Sequence, residues 1–204
     1  MPVRPDTPAL RDYSGRDVEP APAQDDAALI RGTLAGRRED FDVLVERYQR
    51  LLYAFAYRLV HNHEQAADIV QATFLQAYTH LAQFAGRASF KTWLHQIALN
   101  QCRALYRGGR MQREVPLDDI AETHQHDGAP NTPDAAAGDP GWKPFLERLI
   151  ARLPLRQRAV LTLRVFSDLP FKEIARAEGI TENSAKVNYH HAIARLRQWV
   201  REGT

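Results

Sequence analysis

The sequence predicts an all-α protein of two small helical domains, an N-terminal helical bundle and a C-terminal helix-turn-helix domain, joined by a flexible acidic linker. Apolar residues recur at spacings of three and four along most of the chain, which is the period of an amphipathic helix. Charge is also sorted by segment. The net charge is −3 for residues 1–30, +4 for 31–107, −5 for 108–140 and +6 for 141–204. Two basic blocks separated by an acidic one are typical of a protein that binds a polyanion at two places.

Composition excludes several classes of protein. The chain has 204 residues, of which 44% are hydrophobic, as in a globular protein. No apolar run approaches the roughly 18 residues of a membrane span. The N-terminus lacks the basic and apolar regions of a signal peptide, so we expect a cytoplasmic protein without membrane insertion. The single cysteine, Cys102, is predicted to be a small core residue.

The N-terminal third of the chain predicts a tail and two helices. Residues 1–24 are Pro-rich, acidic and aperiodic, which is typical of a disordered tail. Asp25 or Asp26 is expected to cap a short helix that continues to Leu34 and ends at Gly36. A long amphipathic helix follows, with an apolar stripe of Phe41, Leu44, Val45, Tyr48, Leu51, Leu52, Phe55 and Leu59.

The segment from Glu64 to Leu81 repeats the helical pattern. Its predicted buried face consists of Val70, Phe74, Ala77, Tyr78 and Leu81. The other side carries a second stripe, formed by Asp68, Gln71, Ala72 and Leu75. An exposed leucine beside an acid and an amide indicates a protein-binding face.

The stretch from Gln83 to Arg107 predicts a Gly-containing turn and then a helix capped by Ser89. The apolar face of this helix is predicted at Phe90, Trp93, Leu94, Ile97, Ala98 and Leu105. The opposite face carries Gln96, Asn100, Arg103 and Arg107. Amides and guanidiniums in one strip can bond to base edges and phosphates, although an ordinary solvated face is the alternative interpretation.

Residues 108–141 are rich in Gly, Pro, Asp, Ala and Thr and have no periodicity. So long a structureless stretch indicates a linker between two domains, at 25–107 and 142–204. Its acidity fits either a solvated spacer or a mimic of nucleic acid, and composition does not decide between them.

Four helices are predicted after the linker. The first ends at Pro154, the second spans Arg156–Phe166, and a short third helix contains Phe171, Ile174 and Ala175. After the turn Glu178-Gly179-Ile180, Thr181 caps a longer helix with an apolar stripe of Ala185, Tyr189, Ala192, Leu196 and Trp199. A short helix, a Gly turn and a capped second helix indicate a helix-turn-helix.

The second helix of a helix-turn-helix lies in the major groove of DNA. The predicted DNA-binding residues are those off its apolar stripe, namely Asn183, Ser184, Lys186, Val187, Asn188, His190, His191 and, toward phosphates, Arg195. A small helical bundle with a solvated basic face is the alternative.

The order of these motifs resembles the sigma-70-type RNA polymerase sigma factors of the extracytoplasmic function (ECF) group. The matching motifs are Asp68–Phe74 with Ala77-Tyr78, Phe84–Leu94 with Ile97–Asn100, Leu153-Pro154 with Arg158, Glu173–Ala175 and Thr181–Leu196. They cover nearly everything from Asp26 to Val200. By this resemblance, residues 25–107 correspond to sigma region 2 and residues 142–204 to sigma region 4.

The resemblance implies partners and roles. The face of Asp68, Gln71, Ala72 and Leu75 would bind the clamp helices of the largest subunit of core RNA polymerase. The loop and helix after it would open the −10 promoter element, through Phe84, Gly86, Arg87, Ser89, Lys91, Gln96, Asn100, Arg103 and Arg107. The helix-turn-helix would read the −35 element and touch the polymerase flap, and an anti-sigma factor would be a further partner. Two places depart from the family pattern: Ala72, where Glu is usual, and His190-His191, where an apolar or aromatic residue and then Arg are more common.

Two other classes of function were weighed against this one. A stand-alone helix-turn-helix repressor or activator would explain residues 181–199 but would leave the α-helical strip around Asn100 and the Asp68 face without a role. A metalloenzyme would have to use the histidine pairs His61/His63, His124/His126 and His190/His191, none of which has the i,i+4 spacing of a helical zinc site. We therefore expect no catalytic residues, no metal and no cofactor.

Overall fold

The computed structural model describes residues 25–110 and 142–202, and the regular elements in these ranges are all helices. The all-α prediction is confirmed for this part of the chain. The predicted tail, 1–24, and residues 111–141 of the predicted linker lie outside the described residues. The chain divides into two compact units, the first ending at Leu44 and the second beginning at Val45.

The first unit contains helix α1, Asp26–Leu34, and the first residues of helix α2, Arg38–Val60. Asp25 occupies the N-cap position of α1, but its side chain makes no capping hydrogen bond. Of the two predicted capping residues, Asp25 is therefore the N-cap, but its carboxylate forms no capping bond. The backbone carbonyl of Asp25 accepts instead from the amides of Ala28 and Leu29, which starts the helix without the carboxylate.

The second unit begins with the rest of α2, helix α3 (His63–Thr79), a 3-10 turn (Leu81–Gln83) and helix α4 (Phe90–Arg110). Asn62 Oδ1 accepts from the backbone N of Gln65 at 2.9 Å, and Ser89 Oγ accepts from the backbone N of Thr92 at 3.1 Å. Each bond pairs an amide that the first turn of a helix leaves without a backbone partner. The predicted Ser89 cap is confirmed.

Two residues assigned to buried faces are exposed: Tyr78 of α3 by 40% and Leu105 of α4 by 37%. The interior face of α3 is formed instead around Ile69, Thr73 and Phe74. Thr73 was not predicted to be buried, because its side chain is polar. Its hydroxyl donates to the carbonyl of Ile69 at 2.6 Å, so Thr73 is buried without an unpaired polar group.

The C-terminal helices of the second unit are α5 (Trp142–Ala151), α6 (Leu155–Val165), α7 (Phe171–Glu178) and α8 (Glu182–Glu202). They share a core of Leu149, Ile150, Leu153, Leu161, Ala192 and Leu196. Helix α4 contacts α3 and also α7, so it joins the earlier helices of the second unit to the C-terminal ones.

Helices α7 and α8 form the predicted helix-turn-helix. Gly179 ends α7 at φ 69°, a left-handed conformation that glycine adopts without a steric penalty. Thr181 Oγ1 accepts from the backbone N of Ser184 at 3.1 Å and caps α8. Ala185 is fully buried, which lets α8 approach its neighbours closely.

Candidate nucleic-acid interface

The predicted protein-binding stripe lies on one face of α3. Asp68 and Gln71 are exposed, Ala72 is partly buried, and Leu75 is 68% exposed. Leu75 has the largest exposed fraction among the large apolar side chains of the described residues. Tyr78, which was assigned to the buried side, lies one turn from Leu75 and extends the apolar part of this face. The face therefore offers an aliphatic and an aromatic contact beside an acid and an amide.

The loop after the 3-10 turn borders a cleft of about 370 Å³. Gly86 turns the loop with φ 65°, and the Phe84 ring lies 5.2 Å from the ring of Trp93, centre to centre. Aromatic walls with nearby hydrogen-bonding groups are how proteins hold an unstacked base. The cleft is lined by Gln83, Phe84, Ala85, Gly86, Arg87, Ala88, Trp93, Gln96 and Arg176.

Helix α4 presents part of the predicted DNA-binding strip to solvent. Gln96, Asn100 and Arg107 are exposed. Lys91 and Arg103 are only partly exposed and are directed to the C-terminal helices: Lys91 Nζ donates to the carbonyl of Ser167, and Arg103 Nη2 lies 2.5 Å from Glu178 Oε2. The predicted DNA-binding residues within α4 thus comprise three exposed side chains and two that are already paired.

Helix α8 exposes most of its predicted DNA-binding residues, namely Asn183, Lys186, Val187, His190 and His191. Two others are engaged within the helix. The hydroxyl of Ser184 lies 2.8 Å from Thr181 Oγ1, and Asn188 Nδ2 donates to the carbonyl of Ser184 at 2.8 Å. Arg195 is partly buried. The exposed set contains one cation, one amide and two imidazoles, which suits contacts to both bases and phosphates.

Sequence reasoning missed His95, which is fully buried in α4. His95 Nδ1 lies 2.7 Å from the carbonyl of Lys91, so Nδ1 carries the proton, and Nε2 accepts from Ser167 Oγ at 2.9 Å. Burial lowers the pKa of His95 to about 4, against a smaller opposing effect of the bond to Lys91. The signal that would have found it is its position, four and seven residues before the buried Leu99 and Cys102.

Glu178 was also missed, because it was assigned only to the turn of the helix-turn-helix. Its side chain is 0% exposed and pairs with Arg103. Burial raises the pKa of Glu178 to about 7, and the positive charges of Arg103 and Arg156 oppose that rise. No local pattern distinguishes this glutamate from a solvated one, since its partner lies 75 residues away in sequence.

Arg158 belongs to a matching motif but was given no role. Its Nη1 donates to the carbonyl of Leu59 at 2.6 Å, and its Nη2 donates to the carbonyl of Leu153 at 3.0 Å. Burial lowers the pKa of Arg158. The guanidinium therefore links the end of α2 to the segment that follows α5, through carbonyls of two buried residues.

Two absences hold for the part of the chain that the structure describes. No cluster of three or more His, Cys, Asp or Glu is placed there to hold a metal ion. Of the helices in residues 25–110 and 142–202, none has the length and apolar character needed to cross a membrane. His124 and His126 lie outside these ranges.

Comparison with known proteins decides the family. The chain is 31% identical over 157 residues to the RNA polymerase sigma-H factor of Pseudomonas aeruginosa, covering 74% of this chain and 81% of that protein. The chain belongs to the sigma-70 family. Sigma-70 region 2 matches residues 44–111 of this sigma factor, and Sigma-70 region 4 matches residues 146–196.

Further relatives belong to the ECF group. The ECF RNA polymerase sigma-E factor of Salmonella typhimurium is 32% identical over 155 residues, covering 74% of this chain and 81% of that protein. ECF RNA polymerase sigma factor SigM of Mycobacterium tuberculosis is 29% identical over 171 residues, covering 84% and 82%. The ECF resemblance read from the sequence motifs is confirmed.

Solved structures share the fold. The sigma factor RpoE of Bartonella quintana, solved with the anti-sigma factor NepR, has a TM-score of 0.61 at 22% identity, covering 80% of this chain and 98% of that one. CnrH, solved with the cytosolic domain of CnrY, has a TM-score of 0.65 at 21% identity, covering 88% and 99%. The predicted fold of two helical domains is confirmed, and a stand-alone repressor is not favoured.

Proposed function

We propose that this sigma factor is a cytoplasmic, non-catalytic subunit of RNA polymerase. It binds the core enzyme through the α3 face and binds promoter DNA through two separate surfaces. The observation that carries the proposal is the exposed strip of Gln96, Asn100 and Arg107 beside the aromatic cleft of the Phe84 loop. A repressor that reads duplex DNA with α8 has no use for such a cleft.

We assign the roles of the segments accordingly. Residues 25–107 form the region 2 domain, which binds the polymerase and the −10 element, and residues 142–204 form the region 4 domain, which binds the −35 element and the flap. Residues 1–24 precede the region 2 domain, and residues 108–141 connect the two domains. On α3, the contact with the clamp helices is made by Asp68, Gln71, Ala72 and Leu75.

Opening of the −10 element requires base pairs to be separated and their stacking to be broken. Separating duplex DNA costs about 1.4 kcal/mol per base-pair step. An unstacked base held against the aromatic wall of Phe84 and Trp93 regains part of that energy. Asn100 offers an amide that donates to and accepts from a base edge, and Arg87 and Arg107 pair with phosphates.

The −35 element is read by α8 in the major groove. Asn183, Lys186 and His190 are exposed for this purpose. The departure from the family pattern at His190-His191 means that the −35 sequence does not follow from the family pattern. We also propose an anti-sigma partner, as RpoE of Bartonella quintana has in NepR.

The substitution Asn100→Ala tests the proposed opening step. We expect a loss of open complex of about tenfold, because a bidentate contact to a base is removed, with little change in closed-complex affinity. Permanganate reactivity of unpaired thymines measures opening, and a mobility shift at low temperature measures closed binding. Gln101→Ala is the matched control, since Gln101 is the next amide along α4 and donates to Gln76 at 2.9 Å. Equal losses in opening and closed binding would remove Asn100 from this role.

A further inference from the structure

Two adjacent histidines of α8 are not engaged within the protein. His190 and His191 are both exposed, and among residues 25–110 and 142–202 neither imidazole forms a hydrogen bond or an ion pair. His190 makes an edge contact with the ring of Tyr189, at 5.8 Å between ring centres. The nitrogens of both imidazoles are therefore available to a partner outside the described residues.

The position of the pair along α8 indicates which groups of DNA it would meet. His190 lies two turns after Asn183, on the stripe that also carries Lys186 and Val187. The first turns of a recognition helix contact base edges. At 1.5 Å per residue, His190 and His191 lie about 11 to 12 Å beyond Asn183, and the major groove is itself about 12 Å wide. Side chains that far from the base-contacting turn reach the rim of the groove, where the phosphates lie.

The charged groups nearest to the pair along α8 are mainly cations. Arg195 follows His191 by one turn, and Lys186 precedes the pair by one turn. Lys186 Nζ lies 2.8 Å from Glu182 Oε1. The hydrogen bond from Lys186, together with the positive charges of Lys186 and of Lys172 on α7, lowers the pKa of Glu182. The carboxylate of Glu182 is therefore already matched by two cations.

Helices α5, α6 and α7 pack against α8, and in the described part of the chain their acidic side chains are engaged elsewhere. The acids of α5, of α7 and of the turn between α6 and α7 act on other cations, namely Glu147 on Arg58, Asp168 on Arg164, Glu173 on Arg176 and Glu178 on Arg103. In the free chain, a proton on either imidazole is therefore opposed by neighbouring cations and is not stabilised by an acid.

An imidazole changes its charge between about pH 5 and pH 8, and a neighbouring anion favours its charged form. We propose that His190 and His191 bind phosphates of the −35 element as imidazolium ions, so that binding of this element takes up protons and is stronger at pH 6 than at pH 8. This inference rests on the proposed function of α8 in binding the −35 element.

Proton uptake on binding sets the direction and the size of the pH dependence. The DNA-bound state holds more protons than the free state, so affinity rises as the pH falls. Hydrogen bonds between charged groups contribute more than neutral ones, and we expect the two contacts together to strengthen binding about tenfold at pH 6 relative to pH 8. Each imidazolium that neutralises a phosphate also releases a counterion. The slope of log affinity against log salt concentration should therefore be steeper at pH 6, by about one for each contact.

The test uses the chain assembled with core RNA polymerase and a fluorescent promoter fragment that this holoenzyme transcribes, at low temperature so that the complex stays closed. The affinity with the unaltered chain is divided by that with the double variant His190→Gln/His191→Gln, because glutamine keeps hydrogen-bonding groups and does not titrate. Both chains share the polymerase, His95 and Glu178, so other titrations cancel in this ratio. We expect a ratio of about ten at pH 6 and about one at pH 8.

Two controls separate charge from shape. In His190→Gln/His191→Arg, a permanent cation replaces the titratable one, so its gain over the double variant should be present at both pH values. A fragment that ends between the two promoter elements gives α8 no duplex to bind, and the ratio there should be about one throughout. Circular dichroism at both pH values checks that each variant keeps its helices, as expected for substitutions at exposed side chains.

An affinity ratio that is the same at pH 6 and pH 8, or a salt slope that does not change with pH, would overturn the proton coupling. If shortening the fragment still weakens binding in that case, the proposed role of α8 at the −35 element stands without the coupling. If neither the double substitution nor the shortened fragment changes the affinity, the role of α8 at the −35 element is contradicted as well.

Discussion

Burial sets the charge of two side chains where α4 meets the C-terminal helices. His95, beside Lys91, has its pKa lowered to about 4, so it is neutral near pH 7. Glu178, near Arg103 and Arg156, has its pKa raised to about 7. The neutral forms of both side chains are the ones that folding favours. Their effects on stability have opposite signs as the pH changes.

These two pKa shifts predict opposite changes in the free energy of unfolding as the pH changes. The contribution of His95 is present above its unfolded pKa of 6.5 and is lost as the pH falls toward 4, whereas that of Glu178 is present below 4.5 and is lost as the pH rises through 7. Each amounts to about 2 kcal/mol between about pH 5 and pH 7.5. On acidification, His95→Gln should therefore gain stability and Glu178→Gln should lose it, each relative to the unaltered chain.

Urea unfolding at the two pH values measures these free energies. The unaltered chain, in which the two contributions oppose each other, is the reference. If the curves of His95→Gln and Glu178→Gln run parallel to that reference, the two side chains are not buried as described.

Local signals placed most single residues correctly. The Ser89 and Thr181 caps and the left-handed Gly179 depend only on neighbours within a few residues, so the sequence predicts them. Arg103 was also predicted to lie off the apolar face of α4, and it is partly exposed. The partner of Arg103 was not found, because Glu178 approaches it through tertiary packing that local periodicity does not encode.

At the scale of the element, α3 shows how a small error in a helical face changes the interpretation of a surface. Including Tyr78 and omitting Ile69 and Thr73 rotates the predicted buried face of α3 by about 60°, less than the 100° between successive residues. The stripe of Asp68, Gln71 and Leu75 was still predicted as exposed, since it lies far from that boundary. The actual surface is larger than predicted because it includes Tyr78.

The α3 face yields a prediction about polymerase binding. Leu75→Arg should weaken association with core polymerase at least about tenfold, because a central apolar contact is replaced by a charge. Its effect on the free energy of unfolding should be small, since Leu75 is 68% exposed. Leu34→Arg is the matched control: Leu34 is an exposed leucine of α1, 53% accessible, outside the α3 face. Fluorescence anisotropy of the labelled chain, titrated with core enzyme, measures the affinity of both variants for the polymerase.

Equal affinities of the Leu75 and Leu34 variants for the polymerase would show that the α3 face is not the docking surface. A large loss of stability in the Leu75 variant would show that the side chain is buried in solution, which the structure contradicts.

At the scale of the whole molecule, the distribution of net charge along the chain matches the proposed binding of DNA at two places. Two basic segments, net +4 and net +6, carry the surfaces that we propose for the −10 and −35 elements, and the acidic segment between them carries −5. Composition predicts this division because it needs no knowledge of tertiary contacts. The contact of α4 with α7 joins residues that are far apart in sequence, and only the structure reveals it.

The central claim is that this chain acts only together with core RNA polymerase. Run-off transcription on a pool of genomic promoter fragments, with core enzyme in the presence and absence of the chain, tests it most directly. We predict discrete transcripts that depend on the chain and whose start sites share two upstream sequence elements. An absence of chain-dependent transcripts, together with tight duplex binding by the chain alone, would contradict the claim and indicate a stand-alone regulator.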